Sequence, residues 1–272
     1  MSPNEFFSQL WQDYVAMAPQ ADQIYKLFAA DNGTVVNDHV AFRTFNLAPI
    51  NIERLEKHFF AMGYRRHEPY RFDDKKLDAW SYLHEDPTQP RIFLSELCVN
   101  ELSAAAQEYI SGLVAQIDPA RVDDPSVFWA GPLWKMPSHA DYLRLLEESE
   151  YAGWMAAIGM RVNHFTVSIN HLTTPTTLQG VVERVEQAGF AINGAGGKLK
   201  GTPEQLLEQA STLADRMPMV FADGSTHAIP TCYYEFARRY PDAKGELYQG
   251  FIPSSADKIF ESTDVKKSLK AA

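Results

Sequence analysis

His39-Val-Ala-Phe-Arg-Thr-Phe45 and Arg161-Val-Asn-His-Phe-Thr-Val-Ser-Ile169 are the two stretches on which the fold turns. Both are rich in β-branched and aromatic residues and read as strands. Each carries one histidine in an otherwise apolar run. Alternate side chains of a strand share a face. His39, Ala41, Arg43 and Phe45 therefore point one way, and Val40, Phe42 and Thr44 the other. Apolar bulk on both faces predicts a strand covered on both sides.

Around each stretch the same order of elements recurs. After His39 comes a helix over Ile52 to Met62, with Ile52, Leu55, Phe59 and Met62 on one stripe and Gly63 as its stop. Three strands follow, at Arg65–Phe72, Ala79–His84 and Arg91–Cys98, with Asp73-Asp74 and Asp86-Pro87 as turns. After His164 a helix is predicted over Pro175–Ala188, with Thr174 as N-cap and Gly189 as stop. Thr202-Pro-Glu-Gln205 has capping-box spacing and predicts an inserted helix to about Ala214. Met219–Ala222 and Ile229–Arg238 are the closing strands, with Asp223-Gly224 as hairpin turn. The reading is an internal duplication of β-α-β-β-β modules. It predicts an α+β protein of two such modules with added helices.

The remaining segments frame the modules in one expected domain, 1–272. Apolar residues from Phe6 to Met17 recur at helical spacing, and a second helix covers Ala21–Ala30, giving N-terminal helices over 1–36. The first module takes 37–99 and the second 160–240. Helices at Asn100–Ile117 and at Ser138–Ile158, the latter capped by Ser138, form a connection over 100–158. Asp-Pro and Gly-Pro steps make Asp118–Pro137 a linker. The helical connection and a tail over 241–272 are expected to cap the open end of the sheet.

Composition narrows the class. The formal net charge is −10, and no basic stripe is present, which argues against nucleic acid as partner. No apolar run approaches the ~20 residues that span a bilayer. Met1 to Gln9 lacks the pattern of a signal peptide, so the cytoplasm is the expected location. Cys98 and Cys232 sit in strand-like apolar runs and read as small buried hydrophobes rather than a disulfide.

Of eight histidines, His58, His67, His84, His139, His171 and His227 fall on helix surfaces, at strand ends or in turns. His39 and His164 differ, because they hold equivalent places in two modules. A buried histidine is either hydrogen-bonded in the core or a ligand. Glu235, in Tyr233-Tyr-Glu-Phe236, is the third piece. A buried carboxylate needs a cation, either a metal or one of Arg43, Arg238 and Arg239. Two imidazoles and one carboxylate form a facial set typical of non-haem Fe(II) oxygenases, although Zn, Ni, Mn or Co use the same donors. The histidines lie 125 residues apart, so no compact motif announces the site. Arg43, about 13 Å along the strand from His39, is suited to a bidentate grip on a substrate carboxylate. Its structural alternative is an ion pair with Glu96 or Glu235. Glu96 is the first-module counterpart of Glu235, with a structural role ranked above a ligand role. Gly194-Ala-Gly-Gly197 lacks the strand–helix context of a nucleotide loop and reads as a plain loop.

Four stretches carry a family resemblance: Asn37–Phe45, Val162–Thr166, Tyr233–Phe236 and Gly250–Thr263. The chain resembles the family long called DUF1338, whose characterised members are 2-oxoadipate dioxygenase/decarboxylases similar to the vicinal-oxygen-chelate superfamily. The resemblance implies paired β-α-β-β-β modules forming a curled mixed sheet around one metal, with added helices. It implies His39, His164 and Glu235 as iron ligands and Arg43 as the substrate-carboxylate residue. It also implies conversion of 2-oxoadipate and O₂ to 2-hydroxyglutarate and CO₂, in lysine degradation. The chain is shorter than characterised family members. A metal-dependent isomerase, lyase or hydrolase on the same scaffold is the alternative expectation, and a non-catalytic protein the third.

Overall fold

The computed structural model describes residues 1–263. The last part of the expected tail, 264–272, lies outside the described residues. The two histidine-bearing stretches form β1 (Asn37–Phe45) and β5 (Val162–Ser168), and both are almost wholly buried. They pair antiparallel at the centre of an eight-stranded curled sheet.

Each half grows outward from that pair in the same way. In the first, β1 is followed by α3 (Ile52–Ala61), β2 (Tyr64–Phe72), β3 (Leu77–His84) and β4 (Arg91–Leu97). In the second, β5 is followed by α8 (Leu178–Gln187), β6 (Lys200–Thr202), β7 (Leu207–Ser211) and β10 (Tyr233–Arg239). The last strand of each half pairs parallel with its first: β4 with β1, β10 with β5. The order across the sheet is β2-β3-β4-β1-β5-β10-β7-β6. The duplicated β-α-β-β-β reading is therefore the architecture observed.

Helices cover both faces. On one side are α1 (Pro3–Met17), α2 (Pro19–Asn32), α3 and α8. Phe6 of α1 and Phe59 of α3 meet Phe42 of β1 there, and Trp11 meets Phe165 of β5. On the other side α7 (Glu150–Ile158) and α9 (Pro253–Phe260) approach the concave face. Between the modules lie α4 (Ala104–Val114), the short α5 (Pro119–Val122) and α6 (His139–Glu148). No helix is long and apolar enough to cross a membrane among the described residues. Cys98 and Cys232 are free and buried.

Several local expectations are corrected. The helix predicted over 202–214 is a hairpin of β6 and β7. Thr202 Oγ1 does accept from Gln205 N, but Leu206 turns left-handed at φ 65° and ends the turn after one cycle. Pairing of β7 with β10 then overrides the helical propensity of Leu206-Leu-Glu-Gln-Ala210. Arg216–Val220 (β8) and Thr226–Pro230 (β9) form a separate two-stranded ribbon, with Gly224 at φ 80° in the predicted turn. Only β10 closes the main sheet. α8 starts later than expected, because Thr177 rather than Thr174 caps it by accepting from Gly180 N. The helix predicted over 138–158 is two. Ser138 caps α6 as expected, while extended Ser149 ends it and caps α7. The helix expected over 100–117 starts at Ala104, with Ser103 as its cap. The expected linker contains α5 and a 3-10 turn, Pro125–Trp129, whose Phe128 stacks on Phe59.

Candidate metal centre

His39, His164 and Glu235 come together on the concave face, from β1, β5 and β10. Their ligand atoms all lie within 4.8 Å of one another, and all three residues are buried. His164 Nε2 is 3.1 Å from Glu235 Oε2, and His39 Nε2 is 3.6 Å from Oε1. Register explains the convergence: Ala41 faces His164, and Tyr233 faces His164 on its other side, so the three donors occupy adjacent rungs.

The far side of each imidazole is held. His39 Nδ1 is 2.8 Å from Asp38 Oδ2, and His164 Nδ1 is 3.0 Å from Asn163 Oδ1. Asp38 is itself gripped by Arg239, at 2.8 and 2.9 Å, and by Arg91 at 3.2 Å. Burial pushes the Asp38 carboxyl up. Arg239, the His39 hydrogen bond and Arg91 outweigh it and hold the group well below the usual carboxylate value. Thr166 Oγ1 is 3.0 Å from His39 Nε2. The His164 ring stacks on Tyr233 at 4.6 Å, and burial lowers its pKa, favouring the neutral imidazole that binds metals.

Glu235 decides whether a metal fits. Burial raises its pKa, but His39, His164 and a 2.7 Å hydrogen bond from Gln209 hold it below the ordinary value. The arginines that were its structural alternatives are engaged elsewhere. Arg43 pairs with Glu150 at 3.1 Å, Arg238 lies over the Tyr240 ring, and Arg239 serves Asp38. A buried anion facing two imidazole nitrogens and no arginine or lysine ion pair among the described residues suits a divalent cation. The donor set fits an octahedral ion with open positions.

Arg43 lies further along the same face, fully buried. It pairs with neither Glu96 nor Glu235. Its fork reaches Glu150 and, at 2.9 Å, Thr263 Oγ1, and its Nε has no partner. The rings of Tyr151, Trp154 and Phe260 surround the guanidinium at 4.9, 5.0 and 5.8 Å. Glu96 points to the opposite face and caps α3 by accepting from Ile52 N at 2.8 Å, a structural role. His227, nearest in sequence to Glu235 among the remaining histidines, stacks on His139 at 3.5 Å instead. His58 and His84 meet backbone carbonyls of Val122 and Met62. Gly194–Gly197 is a turn-rich loop, as expected.

Residues of the site that sequence reasoning missed include Asp38, Asn163, Thr166, Gln209, Tyr233 and Lys200. Asp38 and Asn163 had a visible signal, since each immediately precedes its module's histidine. Gln209 and Lys200 had none, because a helix was expected over most of that hairpin. Lys200 is buried on the site's face of the sheet, and its Nζ donates to the carbonyls of Asn193 and Lys198 at 2.6 and 3.4 Å. Burial depresses its pKa to about 8, against the pull of Glu235 and Glu261. The folded chain thus binds fewer protons here than the unfolded chain between about pH 8 and 10.5, the range bounded by the two pKa values. Stability is expected to rise with pH through that window, and the cost of the buried charge is fully present below it. Urea unfolding of wild type and Lys200→Met across pH 7.5 to about 10.5 checks this, because the variant should lack the rise.

A buried, strand-borne group of two histidines and one glutamate, set at the centre of a duplicated curled sheet, defines a protein of paired β-α-β-β-β modules able to bind one metal ion. Comparison with known proteins narrows the class. A family model described as 2-oxoadipate dioxygenase/decarboxylase matches residues 6–122 and 126–246, and the chain belongs to that family. It is an enzyme of this type. The rice (Oryza sativa subsp. japonica) chloroplastic/amyloplastic 2-oxoadipate dioxygenase/decarboxylase is 36% identical over 94% of this chain and 77% of its own. The crystal structure of the Oryza sativa hydroxyglutarate synthase in complex with 2-oxoadipate superposes with a TM-score of 0.92 at 33% identity, covering 97% of this chain and 93% of that one. A Shewanella frigidimarina protein described as a hydrolase is 47% identical, with a TM-score of 0.88 over 92% of this chain and 98% of that one. The expected shortness holds against the Pseudomonas putida hydroxyglutarate synthase, of whose chain the match covers 65%, and is slight against the rice structure.

Proposed function

We propose that this enzyme is an Fe(II)-dependent dioxygenase/decarboxylase, converting 2-oxoadipate and O₂ to 2-hydroxyglutarate and CO₂. The observation that carries the reading is Glu235, a buried anion shared by two imidazole nitrogens, with Arg43 four residues beyond His39 on the same strand face. The reaction balances without a cosubstrate: C1 leaves as CO₂ with its own two oxygens, one oxygen atom of O₂ completes the carboxylate formed at C2, and the other becomes the new hydroxyl. Iron(II), if held by His39, His164 and Glu235, would supply Lewis acidity toward the 2-oxo acid and a redox centre through which the substrate's electrons reach O₂.

The chain's own residues supply the rest. Arg43 grips the distal carboxylate, its unpartnered Nε being a donor that a substrate oxygen can satisfy. Gln209 holds the Glu235 carboxylate in one orientation. Phe93, Phe251, Ile259 and Phe260 wall the site and exclude water from the reacting atoms.

The test is O₂ uptake by anaerobically purified, Fe(II)-loaded protein given 2-oxoadipate, with His164→Ala as control. Uptake matched one-to-one by CO₂ and 2-hydroxyglutarate, and lost in the variant, is expected. Metal-loaded protein that consumes no O₂ with any 2-oxo acid would sink the proposal. The description of the Shewanella relative keeps a redox-neutral hydrolase as second reading. Turnover with Zn, Ni or Mn under strict anaerobiosis would favour it.

Access to the site sets a further expectation. The cavity beside the three donors measures about 20 Å³, room for about one water molecule and not for a six-carbon diacid. Phe260 of α9 both lines that cavity and packs toward Arg43. Substrate entry therefore requires the lining to repack, and α9, which supplies Ala256, Ile259 and Phe260, is the element we expect to give way. Backbone amides of 253–263 should exchange at least about tenfold more slowly with 2-oxoadipate bound to anaerobic, metal-loaded protein than without it. Unchanged exchange would mean that substrate enters elsewhere.

A further inference from the structure

The register of the central β1–β5 pair is broken twice. Asn37 and His39 face Val167 and Thr166, which are adjacent on β5, so Asp38 is an extra residue on β1. Ala41 and Phe42, adjacent on β1, face His164 and Val162, so Asn163 is an extra residue on β5. On a regular strand the residue before a histidine points to the opposite face. A bulge re-aims it. Here each bulge falls on the residue before a histidine of the candidate metal centre. Both re-aimed side chains are buried, and both set an oxygen on Nδ1 of the following imidazole, at 2.8 and 3.0 Å.

The consequence is a defined tautomer. An ionised carboxylate is an acceptor only. His39 Nδ1 therefore donates to Asp38, and in the neutral ring Nε2 keeps its lone pair, onto which Thr166 can turn its hydroxyl. The Asn163 amide oxygen does the same for His164. The two partners are not equal. Asp38 is an anion clamped by Arg239 and Arg91. Asn163 is neutral, and its Nδ2 has no hydrogen-bond partner.

We propose that Asp38 and Asn163 are positioning residues, delivered by paired β-bulges, which turn Nε2 of His39 and of His164 toward one divalent ion, and that the charge on Asp38 makes His39 the firmer of the two ligands. The inference rests on the metal reading above. A carboxylate accepting from the far nitrogen strengthens an imidazole donor more than an amide does, and losing such a partner typically costs about 10–100-fold in metal affinity.

Co(II) binding to the purified apoprotein tests this, by competition with a chelating dye and by the visible absorption of the bound ion. Wild type should bind one Co(II) per chain. Asn163→Ala should bind about tenfold more weakly, and Asn163→Asp should recover wild-type affinity or exceed it, with a shifted spectrum. Asp38→Asn should lose about 10–100-fold. Because Asp38 also neutralises two arginines, that variant can fail to fold. The two Asn163 variants leave every ion pair in place, so they decide the Asn163 role and the advantage of a carboxylate over an amide even if Asp38→Asn does not fold. Asn163→Asp binding no more tightly than Asn163→Ala, or both matching wild type in affinity and spectrum, overturns the positioning roles while the metal centre stands. A wild-type protein that binds no Co(II), with His164→Ala indistinguishable from it, overturns the metal centre and this inference with it.

Discussion

Glu235→Gln is expected to abolish tight metal binding and O₂ uptake while leaving the apoprotein folded, at a modest cost in stability. The substitution keeps size and hydrogen-bonding capacity next to Gln209 and removes only the anion. Loss of a supporting partner alone typically costs about 10–100-fold in metal affinity, so loss of the sole anionic donor should cost at least about 100-fold. In the metal-free fold two imidazoles and the Gln209 amide hold the carboxylate in its ionised form, and the neutral isostere gives up part of that interaction. Metal titration and thermal melts of the same apo samples separate the two effects. A variant that still binds metal stoichiometrically with wild-type affinity would remove Glu235 from the proposed ligand set.

Arg43→Lys is expected to collapse the preference for diacids. The guanidinium is buried among three rings, and its planar fork spans Glu150 and Thr263 with Nε to spare. An ammonium has neither the plane nor the paired donors. Removing one partner of a buried charged contact costs about 2–5 kcal/mol, so kcat/KM for 2-oxoadipate should fall about 100-fold or more. A 2-oxo monoacid of the same length lacks the distal carboxylate and should lose far less. An equal loss for both substrates would show that Arg43 acts on the fold or the metal rather than on the carboxylate. The stability cost should be modest, about 1 kcal/mol, because Glu150 is a quarter exposed and regains water when its partner goes.

These two residues differ in how legible they were. Glu235 stood out because a carboxylate in an apolar strand demands an explanation, and His39 and His164 because they recur at equivalent places. Arg43 was visible as a buried cation, but its partner was not. Glu150 lies 107 residues away, on a helix that the sequence shows merging with α6, and only the break at Ser149 brings it to bear. Glu96 illustrates the opposite error. Its equivalence with Glu235 is real in chain order, yet the pleat turns it to the other face, where it caps α3. The β6–β7 hairpin was misread because its residues favour helix locally. Thr202 even begins one, and pairing with β10 overrules it.

What the sequence by itself determined is the duplication, the two buried histidine strands and the acid that completes the set. Those features are written in period-two patterning and in polar residues lodged among apolar ones, both of which are local. Only the tertiary structure decided which strands meet, where the central pair slips register, and which residues therefore stand behind each imidazole. It also decided that α9 lines the site and that Arg43 answers to Glu150. Such pairings join residues tens to hundreds of positions apart. Their free energy comes from burial and hydrogen-bond satisfaction summed over the packed whole, which no window of sequence contains.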